Sequence, residues 1–258
     1  MSVQQIGGKQ LFVEDTGGAG KVVVLVHGLG GTTSFYEPLV PALSERFRLV
    51  RYDFDGHGRS PLTGPLSMPA LAEDLAAVIA SVGAPAHVVA HSMGTLVAQQ
   101  LAATRPELID ELVLLGPVRA QAEPAKEATR GRAATVREKG MVAVADTIVT
   151  AGTAEAARQA NPILAGAVRE MLLGQDAEAY AQACEALAAA GNPDLTAVTA
   201  RVLLLTGTED KVSPPATSEA MAQEIKDATT ATTPDTAHWT VTEAPRFVSE
   251  QTLAFLTA

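Results

Sequence analysis

The stretch Ala86-His87-Val88-Val89-Ala90-His91-Ser92-Met93-Gly94 joins a continuous apolar run to a helix-like segment with almost no linker. Ala90 and Gly94 are small residues on either side of Ser92, and a strand-to-helix turn this tight has no room for bulky side chains there. Such a turn would hold the Ser92 hydroxyl out at the strand end, beside a helix N-terminus whose free N–H groups favour developing negative charge. Alternatively, Ser92 simply caps the helix, because serine is a preferred N-cap residue.

Apolar runs of the same kind recur along the chain, each followed by a turn and a helix-like segment. The predicted strands are Lys21 to His27, Phe47 to Tyr52, Ala86 to Ala90, Leu112 to Leu115 and Val202 to Leu205. The predicted helices are Phe35 to Leu43, Leu71 to Val82, Thr95 to Thr104 and Ser218 to Lys226. Continuous rather than alternating runs are typical of parallel strands covered on both faces. The pattern therefore predicts an α/β fold with an open, mostly parallel central sheet flanked by helices, and Leu11 to Asp15 adds a candidate edge strand.

This alternation stops between about residues 119 and 199. The region is rich in Ala, Glu, Arg and Gln, which are good helix formers. Its Asn161-Pro162 and Gly191-Asn192-Pro193 segments are typical of turns between helices. We predict a core of residues 1–118 and 200–258, with a helical cap of residues 119–199 inserted between core strands. The alternative is a set of extra helices that pack on the sheet.

The loop after the first strong strand is rich in glycine and reads His27-Gly28-Leu29-Gly30-Gly31. Glycines at these positions let the backbone approach a ligand closely. The Leu29 N–H, together with the Met93 N–H next to Ser92, could donate to an oxyanion. Donors of this kind lower the barrier to acyl transfer by about 3 kcal/mol each. A plain glycine-rich turn would show the same pattern.

A carboxylate and a histidine occur near the ends of the later strands, where ligands of α/β sheets bind. Asp210 lies in a turn just after the run Val202 to Leu205, with Glu209 as the rival acid. His238 lies in a loop and is the best-placed base among the five histidines. The others are His27, His57, His87 and His91. His27 and His57 belong to glycine-rich turns, and His87 belongs to a strand. His91 directly precedes Ser92, and in a tight elbow its side chain should point away from the Ser92 hydroxyl. Solvated turn acids and ordinary loop histidines are the alternatives.

Together these segments resemble the α/β-hydrolase superfamily over nearly the whole chain. The resemblance rests on His27-Gly28-Leu29-Gly30, Asp53-Phe54-Asp55-Gly56-His57-Gly58-Arg59-Ser60, the Ser92 elbow, the Asp210 turn and Ala237-His238. The segment from Asp53 to Ser60 is similar to the D-x-x-G-x-G-x-S turn of cofactor-free members. The resemblance implies a catalytic triad in the order Ser92, Asp210, His238, and a cap where the helical insertion falls.

Two departures from the pattern narrow the expected activity. Ala90 replaces the first elbow glycine, which this superfamily tolerates. The HGGG form of the oxyanion loop is absent, which argues against a lipase for long-chain triglycerides. Ser92 at the elbow also disfavours the haloalkane dehalogenases and epoxide hydrolases of this fold, because these enzymes use Asp there.

In length, loop motifs and cap size the chain most resembles 3-oxoadipate enol-lactonase-like hydrolases. This resemblance implies a cofactor-free serine hydrolase with no metal, in which Ser92 attacks, His238 is the base and Asp210 orients His238. We expect hydrolysis of a small to medium carboxylic ester or lactone through an acyl-enzyme. The alternatives are a carbon–carbon bond hydrolase, a cofactor-free perhydrolase, and a non-enzymatic receptor for a small ligand.

Four larger side chains are candidates for the wall of the substrate pocket. Trp239 and Val212 neighbour the predicted triad residues in sequence, and Met141 and Tyr180 are among the larger apolar side chains of the insertion. Core packing is the alternative for each of them.

Composition limits the partners that the chain can have. Its 258 residues (26.7 kDa) include 19 Lys and Arg against 29 Asp and Glu, which gives a net charge of −10 and a pI near 5.0. This acidic balance disfavours nucleic acid and anionic membranes, and a small-molecule substrate is expected.

The lone Cys184 excludes an intramolecular disulfide and a Cys-based zinc site. The opening MSVQQIGGKQ shows no signal segment, and no aliphatic run approaches the ~18 residues of a membrane span. A cytoplasmic location is therefore expected, and a homodimer is compatible with the sequence.

Overall fold

Eight strands form one central sheet in the computed structural model, which describes residues 1–258. The strands are β1 (Ser2–Ile6), β2 (Lys9–Asp15), β3 (Val22–Val26), β4 (Arg48–Tyr52), β5 (Ala86–His91), β6 (Ile109–Leu115), β7 (Arg201–Gly207) and β8 (Ala228–Thr233). Their order across the sheet is β1-β2-β4-β3-β5-β6-β7-β8. The pairs β1–β2 and β2–β4 are antiparallel, and all the others are parallel. The carboxyl ends of β3 to β8 therefore meet at one edge of the sheet.

Helices connect the strands and cover both faces of the sheet. The α-helices are α1 (Val40–Leu43), α2 (Met68–Val82), α3 (Met93–Thr104), α4 (Glu123–Lys139), α5 (Ala145–Gly152), α6 (Glu155–Ala160), α7 (Pro162–Leu173), α8 (Ala177–Ala189), α9 (Pro215–Glu224), α10 (Thr240–Glu243) and α11 (Pro245–Leu256). Short 3-10 turns span Thr33–Leu39, Pro106–Leu108, Met141–Ala143 and Leu195–Ala197. None of these helices combines the length and the hydropathy that crossing a membrane requires.

The central strands bury side chains on both faces, which is why their sequences are continuously apolar. In β3, Val24 and Val26 belong to one cluster of 38 buried residues, whereas Val23 and Leu25 belong to a second cluster of 29. Every residue of β5 is buried. The predicted α/β fold with a mostly parallel sheet is therefore confirmed.

The two outermost strands have sequences that differ from this apolar pattern, and the sequence analysis missed both. β1 is exposed at four of its five positions, and β8 consists only of Ala and Thr, most of them exposed or half-buried. Neither strand needs an apolar run, because edge strands are not buried on both faces. The expectation that Leu11 to Asp15 lies at the sheet edge was wrong, because β1 pairs with the outer side of β2.

The segment between β6 and β7 contains helices α4 to α8 and no strand. Helix α8 lies over the loops at the carboxyl edge of the sheet: a Cβ on Gly30 would lie 3.0 Å from Tyr180 Cε2, and one on Gly56 would lie 2.7 Å from Ala179 Cβ. The side chain of Gln175, just before α8, donates to the Gly30 carbonyl at 3.2 Å. The inserted helices thus contact the edge of the sheet where the predicted site residues lie.

A buried hydroxyl joins the two strands that lead to the site, and its removal tests this part of the fold. The Tyr36 hydroxyl donates to the Val26 carbonyl of β3 at 2.9 Å and lies 3.3 Å from the Val89 carbonyl of β5. We expect Tyr36→Phe to lower the free energy of unfolding by about 1 kcal/mol, because a buried hydrogen bond is lost. Urea denaturation followed by circular dichroism measures this change.

Tyr52 provides the matched control, because its hydroxyl is buried without any hydrogen-bond partner. Tyr52→Phe should leave the free energy of unfolding unchanged or raise it slightly, since a buried unsatisfied group is removed. Equal losses in the two variants would contradict the proposed contribution of the Tyr36 hydrogen bond.

Candidate active site

Ser92 occupies a strained turn between β5 and α3. Its backbone angles are φ 51° and ψ −122°, a left-handed conformation that non-glycine residues rarely adopt. Gly94 makes the turn sterically feasible, because a Cβ at that position would lie 2.6 Å from the Val26 carbonyl oxygen. The Ser92 side chain forms no capping hydrogen bond with α3. The interpretation of Ser92 as a simple helix cap is therefore wrong.

The three predicted triad residues lie together in a hydrogen-bonded chain. Ser92 Oγ lies 2.7 Å from His238 Nε2, and His238 Nδ1 lies 2.8 Å from Asp210 Oδ2. Because a carboxylate can only accept, His238 donates a hydrogen bond from Nδ1 to Asp210. Its Nε2 then accepts a hydrogen bond from the Ser92 hydroxyl. Asp210 and His238 are only 3% and 5% exposed. This geometry leaves Ser92 with a base in direct contact.

The Asp210 carboxylate is held in place by its own turn. Its Oδ1 accepts hydrogen bonds from the Val212 and Ser213 N–H groups, each at 2.8 Å. Glu209, the rival acid, is exposed, and its carboxylate forms no hydrogen bond. Gly116, with φ 52°, leaves room for the pair, because a Cβ there would lie 3.0 Å from His238 Nδ1.

The two predicted oxyanion donors both have free N–H groups. Neither the Leu29 nor the Met93 amide donates a hydrogen bond within the chain. Met93 is the first residue of α3, where N–H groups lack helical partners. The loop that carries Leu29 lies against the elbow, since a Cβ on Gly28 would lie 2.8 Å from Ser92 Cβ. Both amides are available to an acceptor beside Ser92.

The glycine-rich loop that carries Leu29 is anchored by His27. Its Nδ1 donates to the Gly28 carbonyl at 2.8 Å, and its Nε2 accepts from the Phe54 N–H at 3.0 Å. Burial lowers the pKa of His27 to about 4, which keeps the ring neutral and able to accept. The Asp53 carboxylate holds the neighbouring turn by accepting the N–H groups of Thr33 and Arg59, and burial raises the pKa of this carboxyl.

His91 points away from Ser92, as predicted, but it has a structural role that the sequence analysis missed. Its Nε2 donates to the His238 carbonyl oxygen at 2.8 Å. Complete burial holds the pKa of His91 well below its ordinary value, so the ring is neutral. His91 thereby positions the backbone of the residue that contacts the serine.

Glu243 is a second positioning residue that the sequence analysis missed. Its carboxylate accepts hydrogen bonds from the Ala154 N–H at 2.7 Å and from the Ala237 and Trp239 N–H groups at 3.1 Å. Burial raises the pKa of this carboxyl. The His238 N–H donates to the Gly152 carbonyl at 2.9 Å. The loop around His238 is therefore attached to the inserted helices. The only sign of this attachment in the sequence is that a glutamate, Glu243, follows His238 by five positions.

Two neighbouring cavities, of about 140 and 430 Å³, share Ser92 among their lining residues. Of the predicted pocket residues, Tyr180 and Trp239 line the smaller cavity and Val212 lines both. Met141 lines neither, and that prediction is corrected: the turn after α4 directs Met141 into the buried cluster that contains Val136. Lining residues that the sequence analysis missed include Gln121, Thr129, Arg132, Ile148 and Leu187.

A groove of about 650 Å³ lies elsewhere, between α8 and the segment from Pro65 to Pro69, and none of the predicted site residues lines it. The chain also brings together no group of three His, Cys, Asp or Glu side chains that could hold a metal ion.

Comparison with known proteins identifies the family of the chain. The sequence pattern of the alpha/beta hydrolase family matches residues 23–251. The chain belongs to the alpha/beta hydrolase family. This confirms the fold and the superfamily that the motifs indicated.

Similar proteins include lactonases and esterases. The 3-oxoadipate enol-lactonase 2 of Acinetobacter baylyi is 28% identical over 210 residues, which are 80% of this chain and 78% of that protein. The crystal structure of the enol-lactonase from Burkholderia xenovorans LB400 superposes with a TM-score of 0.93, at 29% identity and 99% coverage of both chains. A pimeloyl-acyl-carrier-protein methyl ester esterase of Methylococcus capsulatus is 42% identical over 115 residues, but this match spans only 44% of each chain. The predicted likeness to esterases and lactonases is confirmed.

Glu243→Ala tests how the His238 loop is held. The change leaves the Ala154 and Ala237 N–H groups without their acceptor, and we expect a loss of about 2 kcal/mol in the free energy of unfolding. Trp239 is the only tryptophan and is 4% exposed, so its fluorescence reports on this loop alone. We expect its emission to shift to longer wavelength.

Glu250→Ala is the control, because Glu250 forms only an exposed ion pair with Arg246. It should change neither the emission nor the stability appreciably. Wild-type emission and stability in Glu243→Ala would show that Glu243 does not position the loop.

Proposed function

We propose that this chain is a serine hydrolase that cleaves a small to medium carboxylic ester or lactone through an acyl-enzyme. The observation that carries the proposal is the contact of Ser92 Oγ with His238 Nε2 at 2.7 Å, at a cavity lined also by Leu29. A serine hydroxyl is a poor nucleophile unless a neighbouring base takes its proton, and the His238 imidazole is in place to do so.

In the first half of the reaction, Ser92 Oγ attacks the carbonyl carbon of the substrate while His238 Nε2 accepts the hydroxyl proton. The carbonyl oxygen gains negative charge as the tetrahedral intermediate forms. The free N–H groups of Leu29 and Met93 are the donors for this oxyanion. His238 then protonates the departing alkoxide oxygen, and the acyl group remains on Ser92.

In the second half, water attacks the acyl-enzyme while His238 takes one of its protons; His238 then returns this proton to Ser92 Oγ as the bond to the acyl group breaks and the acid leaves. Asp210 keeps the His238 ring in the tautomer with the proton on Nδ1 and stabilises the imidazolium that forms in each half. Val212 and Ser213 hold the Asp210 carboxylate in the orientation that this requires.

The size of the cavities and the kinds of similar proteins support the substrate class. The two cavities beside Ser92 are about 140 and 430 Å³, one below and one in the lower part of the 300–1,000 Å³ typical of ligand pockets, which suits a small to medium substrate. The similar proteins named above are two enol-lactonases and a methyl ester esterase, and all three names refer to bonds of the ester type.

Acid release in a pH-stat tests the reaction class directly. The substrates are a panel of short esters and of four- to seven-membered lactones. Acid release that depends on Ser92 would support the proposal, and the ratio of ester to lactone turnover would identify the subclass. If no member of the panel releases acid, ester and lactone hydrolysis is rejected. Carbon–carbon bond hydrolysis, perhydrolysis or ligand binding is then the function to be tested.

Ser92→Ala should lower kcat by about five orders of magnitude, because the nucleophile is lost while the fold is kept. Ser34→Ala is the matched control, because the exposed Ser34 hydroxyl forms no hydrogen bond, and it should retain wild-type turnover. Stopped assays with purified, folded protein measure both. Near-normal turnover in Ser92→Ala would mean that another residue is the nucleophile.

Asp210→Asn should lower kcat by about four orders of magnitude, because an amide favours the wrong His238 tautomer. Glu209→Gln makes the equivalent change at the exposed neighbour and should have little effect. The two variants are compared on one ester from the panel. The reverse ranking would assign the acid to Glu209.

A further inference from the structure

The charges around the two cavities beside Ser92 differ in sign from those of the chain as a whole. The chain carries a net charge of −10, yet the residues that line these cavities include Arg119, Arg132 and Lys211 and no Asp or Glu. None of the remaining lining residues carries a negative charge at neutral pH. The only charged side chains that a carboxylate would meet in this space are therefore cationic.

Arg132 is the one cation that lines both of the cavities that Ser92 lines. It lies on α4 and is one of six residues that line both cavities, the others being Ser92, Gln121, Thr129, Leu187 and Val212. Arg119 and Lys211 line only the outer cavity. Arg119 already donates to Glu224 at 3.2 Å, and Lys211 is exposed, so neither is as well placed.

Arg132 has no anionic partner within the chain, although it is partly buried. Arg137, on the same helix, shows the contrast, because it binds both Glu178 and Glu185. The groups that interact with the Arg132 charge are the Tyr180 hydroxyl and the Cys184 thiol. Both are neutral at physiological pH, since burial raises their pKa values, that of Cys184 to about 11.

A guanidinium that is partly removed from water and lacks a counter-ion is unfavourable for the free protein. A carboxylate placed against it gains charge-assisted hydrogen bonds, and the planar guanidinium matches the two carboxylate oxygens. The apolar side chains of Leu29, Ile148 and Leu187 surround this position and reduce screening by solvent.

We infer that Arg132 is a specificity-determining residue that binds a carboxylate of the substrate, so that the ester or lactone cleaved at Ser92 carries one negative charge. This inference rests on the proposed function. Arg132 holds the anionic end of the substrate while Ser92 attacks its ester carbonyl, and Arg119 and Lys211 favour entry of the anion through the outer cavity. A carboxylate on the acyl side and one on the alcohol side are the two forms that this substrate can take.

Matched ester pairs test the inference and separate these two forms. Monomethyl glutarate is compared with the methyl ester in which an isopropyl group replaces its carboxylate. β-Acetoxypropionate is compared with isopentyl acetate, which has the same shape without the charge. For each pair, the ratio of kcat/KM for the acidic ester to that for the neutral ester is measured in the wild type, Arg132→Met and Arg132→Lys. A general loss of activity cancels in this ratio.

In the wild type, we expect the acidic ester of at least one pair to be preferred by about tenfold or more. Arg132→Met should abolish this preference, Arg132→Lys should retain part of it, and added salt should reduce it. Arg130→Met is the control, because Arg130 is exposed on the same helix and lines neither cavity, and it should keep the wild-type ratio. Equal ratios in the wild type and Arg132→Met for both pairs would overturn the inference.

Binding to the Ser92→Ala variant separates this inference from the proposed reaction. Titration calorimetry with monomethyl glutarate and β-acetoxypropionate should show binding that is lost on the additional change Arg132→Met. Such binding in a protein whose wild type hydrolyses no ester would retain the carboxylate site and reject the proposed function. Hydrolysis that depends on Ser92, with acidic and neutral esters turned over alike and no Arg132-dependent binding, would retain the function and reject the site.

Discussion

Close backbone packing between the loop after β3 and the turn after β5 is the constraint on which the site depends. β3 and β5 are neighbouring parallel strands, so the segments that follow them meet at the same edge. Gly28 and Gly94 lie at this contact, where a Cβ would be within 3 Å of the opposing segment. Because no side chain separates the two segments, the loop that carries Leu29 lies directly against the turn of Ser92 and Met93, and neither the Leu29 nor the Met93 amide donates a hydrogen bond within the chain.

The other half of the site depends on a loop that is held by buried polar groups. His91 binds the His238 carbonyl, and Glu243 binds the N–H groups on either side of His238. Buried hydrogen bonds of this kind are expensive to lose, because the partner left behind is unsatisfied. The imidazole therefore has a fixed position relative to Ser92, even though the two residues are 146 positions apart in the chain.

The inserted helices connect the wall of the cavity to this arrangement. Gly152, at the end of α5, accepts the His238 N–H, and α8 packs over the loop that carries Leu29. The same helices provide Tyr180 and Arg132 to the wall of the cavity. A change in their position would thus alter both the wall of the cavity and the position of His238.

The sequence alone was sufficient for the central strands of the sheet, the elbow and the three residues of the hydrogen-bonded chain, because continuous apolar strands and tight glycine turns leave local signals. It did not reveal β1 and β8, whose positions at the sheet edges require no apolar run, nor the burial of Met141. His91, Glu243 and Arg132 were recognisable only in the tertiary structure. Their roles depend on groups that are distant in sequence, and an arginine without a counter-ion can be identified only when the positions of all the carboxylates are known.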